Sequence, residues 1–159
     1  MVQLFTDFNQ TDSFNIVPAV RDPKGPCVEE ANCNYERYTL CAFSQAKDTA
    51  TKVSFLVCMD ESPREGSAPD DSKACAAKAG LDFDQISTCF SGDEGDQLLE
   101  DASKAWNAAC PGRSTIPHTF VNGIDTQPTY DDLKQALCDA GSTAAVCSHL
   151  PATRQSCAL

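Results

Sequence analysis

The sequence predicts an α/β domain, and three observations support that fold class. Residues 53–59 are apolar at nearly every position, as a buried central strand would be. Residues 115–123 place Ile-Pro before Phe120 and Val121 and Asn-Gly after them, which is typical of a strand that begins at a proline and ends in a tight turn. A helix then opens after Thr129, because early acids follow the threonine and Leu133 and Leu137 recur at helical spacing.

The remaining elements follow from local patterns along a chain of 159 residues, long enough for one domain with its own core. Residues 2–8 are compatible with a strand or with the end of a helix. Residues 14–20 predict a strand with a late proline, and a loop then leads into a helix that ends near Lys47.

A helical insertion is predicted over residues 61–112, inside a single domain that spans residues 1–159. Its three helices cover 71–79, 83–90 and 93–109, and glycine or proline follows each of them. The apolar stripe of the third helix consists of Leu98, Leu99, Ala102, Ala105, Trp106 and Ala109. Residues 141–159 form a tail that disulfides must tie back.

Ten cysteines indicate an oxidising compartment. The compartments that fit are the lysosome or secretory pathway, the extracellular space and the lumen of another organelle. Structural disulfides are expected for nine of the cysteines: Cys27, Cys33, Cys41, Cys58, Cys75, Cys89, Cys138, Cys147 and Cys157. Consecutive short helices place Cys75 and Cys89 on neighbouring antiparallel segments, so we predict a bond between these two. Cys110 is the cysteine expected to be free or atypically paired.

The net charge of −11 excludes a phosphate backbone or an anionic membrane as a natural partner. No apolar run approaches the roughly 18 residues of a membrane span. The two histidines, His118 and His149, lie far apart and no short cysteine pair accompanies them, so neither a zinc site nor a cofactor is predicted. The triplet that starts at Asn9 is a glycosylation candidate.

Several motifs, taken in order, resemble one family. They are Val57-Cys58-Met59-Asp60-Glu61, Gly80-Leu81 with Ile86 and Cys89, the run from Gly92 to Leu98, and Ile116-Pro117 with Val121-Asn122-Gly123. Their order and spacing resemble the gamma-interferon-inducible lysosomal thiol reductases (GILT), whose cysteine ladder also matches the clustered and tail cysteines but not Cys110. The resemblance spans about residues 3–157.

The resemblance implies a thioredoxin-like fold in which helices are inserted before a cis-proline strand. It further implies that Ile116-Pro117 is cis and that Ile116, Pro117 and His118 dock an extended, disulfide-containing polypeptide. Gln3 to Asn9 would align with the end of the first helix of that fold.

Two departures from the family weaken the functional prediction. Residues 28–32 stand where the family carries a Gln-His-Gly run, and no Cys-x-x-Cys occurs in the chain. Thiol–disulfide exchange requires a thiolate, which a helix N-terminus stabilises, and a second cysteine that resolves the mixed disulfide. We therefore expect that the first strand and the reactive pair are missing and assign no catalytic residue.

Three functions stay open at this point. The first is a GILT-like thiol–disulfide oxidoreductase homologue that is inactive as given. The second is a redox-inactive protein with a thioredoxin fold, which serves as a binding module or as an accessory subunit of a larger assembly in an oxidising lumen. The third is a secreted disulfide scaffold unrelated to thioredoxin. In the first two, the partner is another protein.

Overall fold

The structure, a computed structural model, describes residues 2–9, 12–20, 22, 33–62, 67–112 and 116–149. Over these residues the chain is mostly helical. The elements in order are α1 Val2–Phe8, α2 Asn34–Gln45, α3 Thr49–Glu61, α4 Ala68–Ala79, α5 Phe83–Ser91, α6 Asp93–Ala109, β1 Thr119–Val121, β2 Ile124–Thr126, α7 Tyr130–Asp139 and a 3₁₀ turn at Ala145–His149.

The chain divides into two compact units. A helical unit comprises Asn15–Ile116 and contains α2 to α6. A composite unit combines Met1–Phe14 with Pro117–Leu159, so it joins α1 to the hairpin of β1 and β2 and to α7. The helical segment predicted over residues 61–112 lies within the helical unit.

The α/β prediction does not describe this architecture clearly, because the sheet found among the described residues is one antiparallel hairpin. The strand predicted over residues 53–59 is wrong, since this stretch lies in α3. An apolar run does not by itself distinguish a buried strand from a buried helix. The deciding local signal is Asp48, whose side chain accepts a hydrogen bond from the Thr51 amide at 2.8 Å and so caps α3.

The strand predicted over residues 14–20 is also wrong, because residues 13–20 form no regular secondary structure and pair with no strand in the described chain. Pro18 has no N–H to donate to a β-ladder, which disfavours a central strand at this position. The apolar side chains of this segment are still used, since Val20 is fully buried and Ile16 packs against the main cluster of the helical unit.

The helices predicted over 71–79, 83–90 and 93–109 are confirmed. The first begins earlier, at Ala68, and ends at Gly80, whose φ of 70° suits a glycine C-cap. Asp82 caps α5 by accepting hydrogen bonds from the amides of Asp84 and Gln85. The predicted stripe of α6 is correct at Leu99 and Ala102, which are buried, but wrong at two alanines that are exposed, Ala105 and Ala109.

The helical unit is built around α2, which packs against α3, α4, α5 and α6. Its largest buried cluster contains Tyr38, Phe55 and Ile86 together with four half-cystines. Disulfides therefore lie inside the apolar core rather than at its rim.

Two disulfides join helices of this unit, and neither is the predicted one. Cys41 of α2 bonds Cys89 of α5, with Cα atoms 5.8 Å apart, and Cys58 of α3 bonds Cys75 of α4, with Cα atoms 5.5 Å apart. The prediction of a Cys75–Cys89 bond is wrong, because it assumed that α4 and α5 are each other's nearest neighbours. Once residues 53–59 are helical, α3 becomes the neighbour of α4 and brings Cys58 to Cys75.

The composite unit packs α1 against α7. Its buried cluster contains Leu4 and Phe8 from α1, Leu133 from α7 and Ala144 beyond it. The segment predicted as a tail from residue 141 is tied to α7 by the Cys138–Cys147 disulfide. Cys157, which was also predicted to tie this tail back through a disulfide, lies outside the described residues.

Two hydrogen bonds between distant residues hold the ends of this unit together. The Tyr130 hydroxyl donates to Asp7 at 2.6 Å, and the Ser142 hydroxyl donates to Asp12 at 2.6 Å. The hydrogen bond from Tyr130, with a second from Gln3, holds the pKa of Asp7 below its ordinary 3.8. The same bond to the Asp7 carboxylate raises the pKa of Tyr130 above 10.0.

We expect the two disulfides of the helical unit to contribute unequally to its stability. Their sequence separations are 48 and 17 residues, for which chain entropy gives about 4 and about 3 kcal/mol. Cys41→Ala/Cys89→Ala should therefore lower the free energy of unfolding, measured in urea, more than Cys58→Ala/Cys75→Ala does. Cys110→Ala serves as the control that removes a buried sulfur without opening a loop. A larger loss for the Cys58–Cys75 pair would contradict this account.

We also expect the Asp7–Tyr130 hydrogen bond to make the composite unit sensitive to acid and to strong base. Because the pKa of Asp7 is lowered, its stabilisation is present above 3.8 and is lost as the pH falls through its folded-state pKa. Because the pKa of Tyr130 is raised, its stabilisation is present below 10.0 and is lost as the pH rises through its folded-state pKa. The free energy of unfolding of Tyr130→Phe, measured from acid to alkaline pH, should lie below that of the parent near neutrality and approach it at both extremes. Parallel curves for the two proteins would refute the assignment.

Candidate functional site

The cysteines are the residues on which the predicted chemistry depends, because disulfide exchange is carried out by thiols. Six described cysteines form the three disulfides given above, and Cys33 is also disulfide-bonded. Cys110 is the free cysteine among the described residues. Cys27 and Cys157 lie outside them.

Cys110 is poorly placed for disulfide exchange. It caps the C-terminus of α6, where its backbone N–H donates to the Trp106 carbonyl at 2.8 Å. The residue is only 3% exposed. Exchange requires a thiolate in line with a substrate disulfide, so a cysteine buried at a helix end does not provide an accessible nucleophile.

The predicted docking residues lie immediately before β1. Ile116 is 40% exposed and Pro117 is exposed, whereas the side chain of His118 is 11% exposed. Ile116 ends the helical unit and Pro117 begins the second segment of the composite unit. The predicted cis isomer of Ile116-Pro117 stays a prediction.

The strand that follows Pro117 is half of a hairpin, as the Asn-Gly pair predicted. Asn122 and Gly123 have φ angles of 49° and 83°, the left-handed values that a type I′ two-residue turn requires at both positions. Val121 therefore lies opposite Ile124, and Phe120 lies opposite Asp125. The turn thus fixes the register of the whole hairpin.

His118 faces a carboxylate from the second strand. Its Nδ1 atom lies 3.7 Å from the Asp125 Oδ1 atom, which makes an ion pair when the imidazole is protonated. The His118 ring also lies near the Phe120 ring, with centroids 6.5 Å apart. A single imidazole beside a carboxylate and an aromatic ring is suited to polar recognition or to proton exchange, but it supplies neither a thiol nor a metal-ligand set.

The helix after the hairpin supports it from within the composite unit. The Thr129 side chain caps α7 by accepting a hydrogen bond from the Asp132 amide, and Leu133 one turn later is buried in the cluster with α1. Val121 of β1 packs against the same cluster. One face of β1 is therefore held by α7.

Three residues of the hairpin were missed from sequence: Phe120 and Ile124, as exposed apolar side chains, and Asp125, as the partner of His118. The signal was available, because an Asn-Gly turn fixes which residues face each other on the two strands. Counting outward from that turn pairs Phe120 with Asp125 and places His118 on their face of the hairpin.

The other predicted sites take no part in this hairpin. Asn9 is exposed just after α1, and its glycosylation stays a prediction. Within the described part of the chain, no group of three or more histidine, cysteine or acidic side chains could hold a metal ion. Likewise, no described helix is both long enough and apolar enough to span a bilayer.

Comparison with protein-family models, curated proteins and solved structures gives no match for this chain. The motifs quoted above therefore remain the basis of the resemblance to thiol reductases.

Proposed function

We propose that this chain is the disulfide-stapled, thioredoxin-like body of a GILT-like thiol–disulfide oxidoreductase, and that it docks an extended protein substrate without carrying out disulfide exchange. One observation carries the proposal. A helix from the start of the chain packs with a proline-led hairpin and a following helix, while a separate helical unit lies between them in sequence. Helices ahead of a proline-led strand, followed by a last helix, are the part of the implied order that supports the proposal, whereas the strands implied over residues 14–20 and 53–59 are not found.

The disulfides support a body without exchange chemistry. Cys41, Cys58, Cys75 and Cys89 are buried in one apolar cluster, where a reductant has little access to the bonds between them. No thiol pair in the described chain could attack a substrate disulfide and then resolve the mixed disulfide.

The docking role is assigned to Pro117 and His118, together with the residue before them, Ile116. Exposure of Pro117 leaves the start of β1 accessible to an extended chain. His118 and Asp125 offer a polar contact beside it. The substrate class is a disulfide-containing polypeptide, and the assigned compartment is an oxidising lumen.

A second candidate is a redox-inactive binding module or accessory subunit of a larger assembly in an oxidising lumen. The bonded state of seven described cysteines favours it, because such a protein needs disulfides for stability alone. Both candidates share the absence of exchange activity and differ in whether a linear polypeptide docks near Pro117.

We predict that the purified chain does not reduce insulin disulfides above the rate of the reductant alone, either at pH 5 or at pH 7. The reason is that Cys110 is buried and no second thiol lies at exchange spacing. Insulin precipitation with dithiothreitol measures the rate, and Cys110→Ala is the matched control. Turnover that alkylation abolishes would overturn this part of the proposal.

We predict that carboxymethylated insulin B chain, a linear polypeptide without disulfides, binds the chain and that Pro117→Ala weakens its binding. Pro128→Ala is the matched control, because Pro128 lies just beyond the other strand of the same hairpin. Fluorescence anisotropy of the labelled B chain gives the affinity. Equal affinities for both variants would place the binding elsewhere, and no binding at all would favour the accessory-subunit candidate.

A further inference from the structure

The Cys138–Cys147 disulfide differs from the other two disulfides in its access to solvent. Both of its cysteines are half-buried. The other two bonds lie in the apolar core of the helical unit, where none of their four cysteines is more than 8% exposed. Because disulfide exchange requires an attacking thiolate to reach a sulfur atom, Cys138–Cys147 is the most accessible of the three bonds to an external thiol.

This bond is also the one that the fold protects least against reduction. Its cysteines are 9 residues apart in sequence, whereas those of the other two bonds are 48 and 17 residues apart. A shorter loop restricts the unfolded chain less, so by chain entropy this bond adds the least stability. The stability that a disulfide adds to a fold is also the resistance of the folded protein to losing that disulfide, so reduction of this bond is the least unfavourable.

The bond holds a short segment, residues 141–148, against the end of α7. Ala144 in this segment is 4% exposed and belongs to the cluster that Leu133 of α7 forms with α1. Val146 packs against the same cluster. The segment therefore covers part of the apolar contact between α1 and α7.

The two ends of this segment are held in different ways. At its start, the Ser142 amide donates to the Leu137 carbonyl at 3.0 Å, and the Ser142 hydroxyl donates to Asp12 at 2.6 Å. Its end is a 3₁₀ turn of five residues, a structure whose hydrogen bonds have poorer geometry than those of an α-helix. Cys147 lies in that turn, so the disulfide is the covalent link between the turn and α7.

We propose that Cys138–Cys147 is a site of thiol–disulfide exchange at which this chain is the substrate of an external dithiol. Reduction there releases residues 141–148 from α7 and uncovers the α1–α7 cluster, while the disulfides inside the helical unit persist. A short segment of this kind opens at a lower free energy than a packed core does, so its release does not require the whole protein to unfold. The proposal does not depend on the docking function.

The exchange has two steps. A thiolate of the external dithiol attacks one sulfur of the bond and forms a mixed disulfide, and the other sulfur leaves as a thiolate that takes a proton from water. The second thiol of the dithiol, once deprotonated, attacks the mixed disulfide and releases the remaining sulfur of the chain as a thiolate, which is protonated in turn. Two electrons pass to the chain, which ends with two thiols, and the dithiol is oxidised to a disulfide.

The test treats the oxidised, undenatured chain with limiting dithiothreitol and blocks new thiols with N-ethylmaleimide at timed intervals. Trypsin cleavage after Lys134 and Arg154 places Cys138 and Cys147 on one peptide, which mass spectrometry resolves. Each cysteine of the helical-unit disulfides falls on a separate tryptic peptide: Cys41 on 38–47, Cys58 on 53–64, Cys75 on 74–78 and Cys89 on 79–104.

We expect Cys138 and Cys147 to be labelled at least about tenfold faster than any cysteine of the helical-unit disulfides. Oxidised glutathione should restore the bond. Hydrogen–deuterium exchange over residues 141–148 should rise in the selectively reduced protein and stay unchanged in α2 and α5. Cys138→Ala/Cys147→Ala should show the same rise without reductant, whereas Cys110→Ala, which removes a cysteine outside any bond, should resemble the parent.

Equal labelling rates for the three bonds would overturn the proposal, and so would earlier labelling of a helical-unit bond or of Cys33. Selective reduction without faster hydrogen exchange over residues 141–148 would also overturn it, because the bond would then not be what holds this segment. If the double-alanine variant does not fold, the labelling rates and the hydrogen exchange of the reduced parent decide the matter.

Discussion

The bond between Cys41 and Cys89 is the constraint on which the helical unit depends most. It fixes α5 to α2, and α2 is the helix against which α3, α4, α5 and α6 all pack. Helices of nine to seventeen residues bury little apolar surface individually, so a small bundle gains much from covalent links between them. The Cys58–Cys75 bond extends the same arrangement to α3 and α4, since both bonds lie in one buried cluster.

Where α6 meets α2, a side chain takes the place of a covalent link. The Arg37 guanidinium lies 2.9 Å from Asp96, donates to the Gly92 carbonyl at 3.0 Å and lies 5.1 Å from the centre of the Phe90 ring. Gly95 permits this close approach, because a Cβ atom there would lie 2.5 Å from Arg37 Nε and 2.7 Å from the Cys89 carbonyl oxygen. The glycine that the sequence places inside a helix therefore has a packing reason.

The elements that the sequence predicted correctly carry their signals locally. Asp82, Gly80 and Thr129 mark helix ends by capping, and Asn122-Gly123 defines a hairpin together with its register. The failures are of another kind. Six of the seven residues at 53–59 are apolar, a pattern that fits a buried strand and a buried helix equally, and the choice depends on packing against α2 and α4. The predicted pairing of Cys75 with Cys89 depended on that choice. The wrong strand at 53–59 therefore led to a wrong disulfide.

The candidate site was predictable to the extent that it depends on neighbours in sequence. Pro117 and His118 were identified through the resemblance, and the Asn-Gly turn gives the register of the hairpin that follows them. Exposure was not predictable, since an apolar residue such as Ile124 would ordinarily be assigned to a core. Burial of Cys110 at the end of α6 likewise depends on tertiary packing rather than on any pattern around it.

The composite unit also has a consequence for the order of assembly. Its hydrogen bond between Tyr130 and Asp7 joins residues 123 positions apart, whereas the helical unit is one continuous segment. The entropy lost on closing a loop grows with the logarithm of its length, and local contacts form faster than distant ones. The helical unit should therefore form first. Once it has folded, the unfolded chain that separates α1 from α7 is shorter. Until α7 closes on α1, Leu4 and Phe8 lack the partner that buries them, so the last step of folding is also the one most exposed to capture by chaperones or by other unfolded chains.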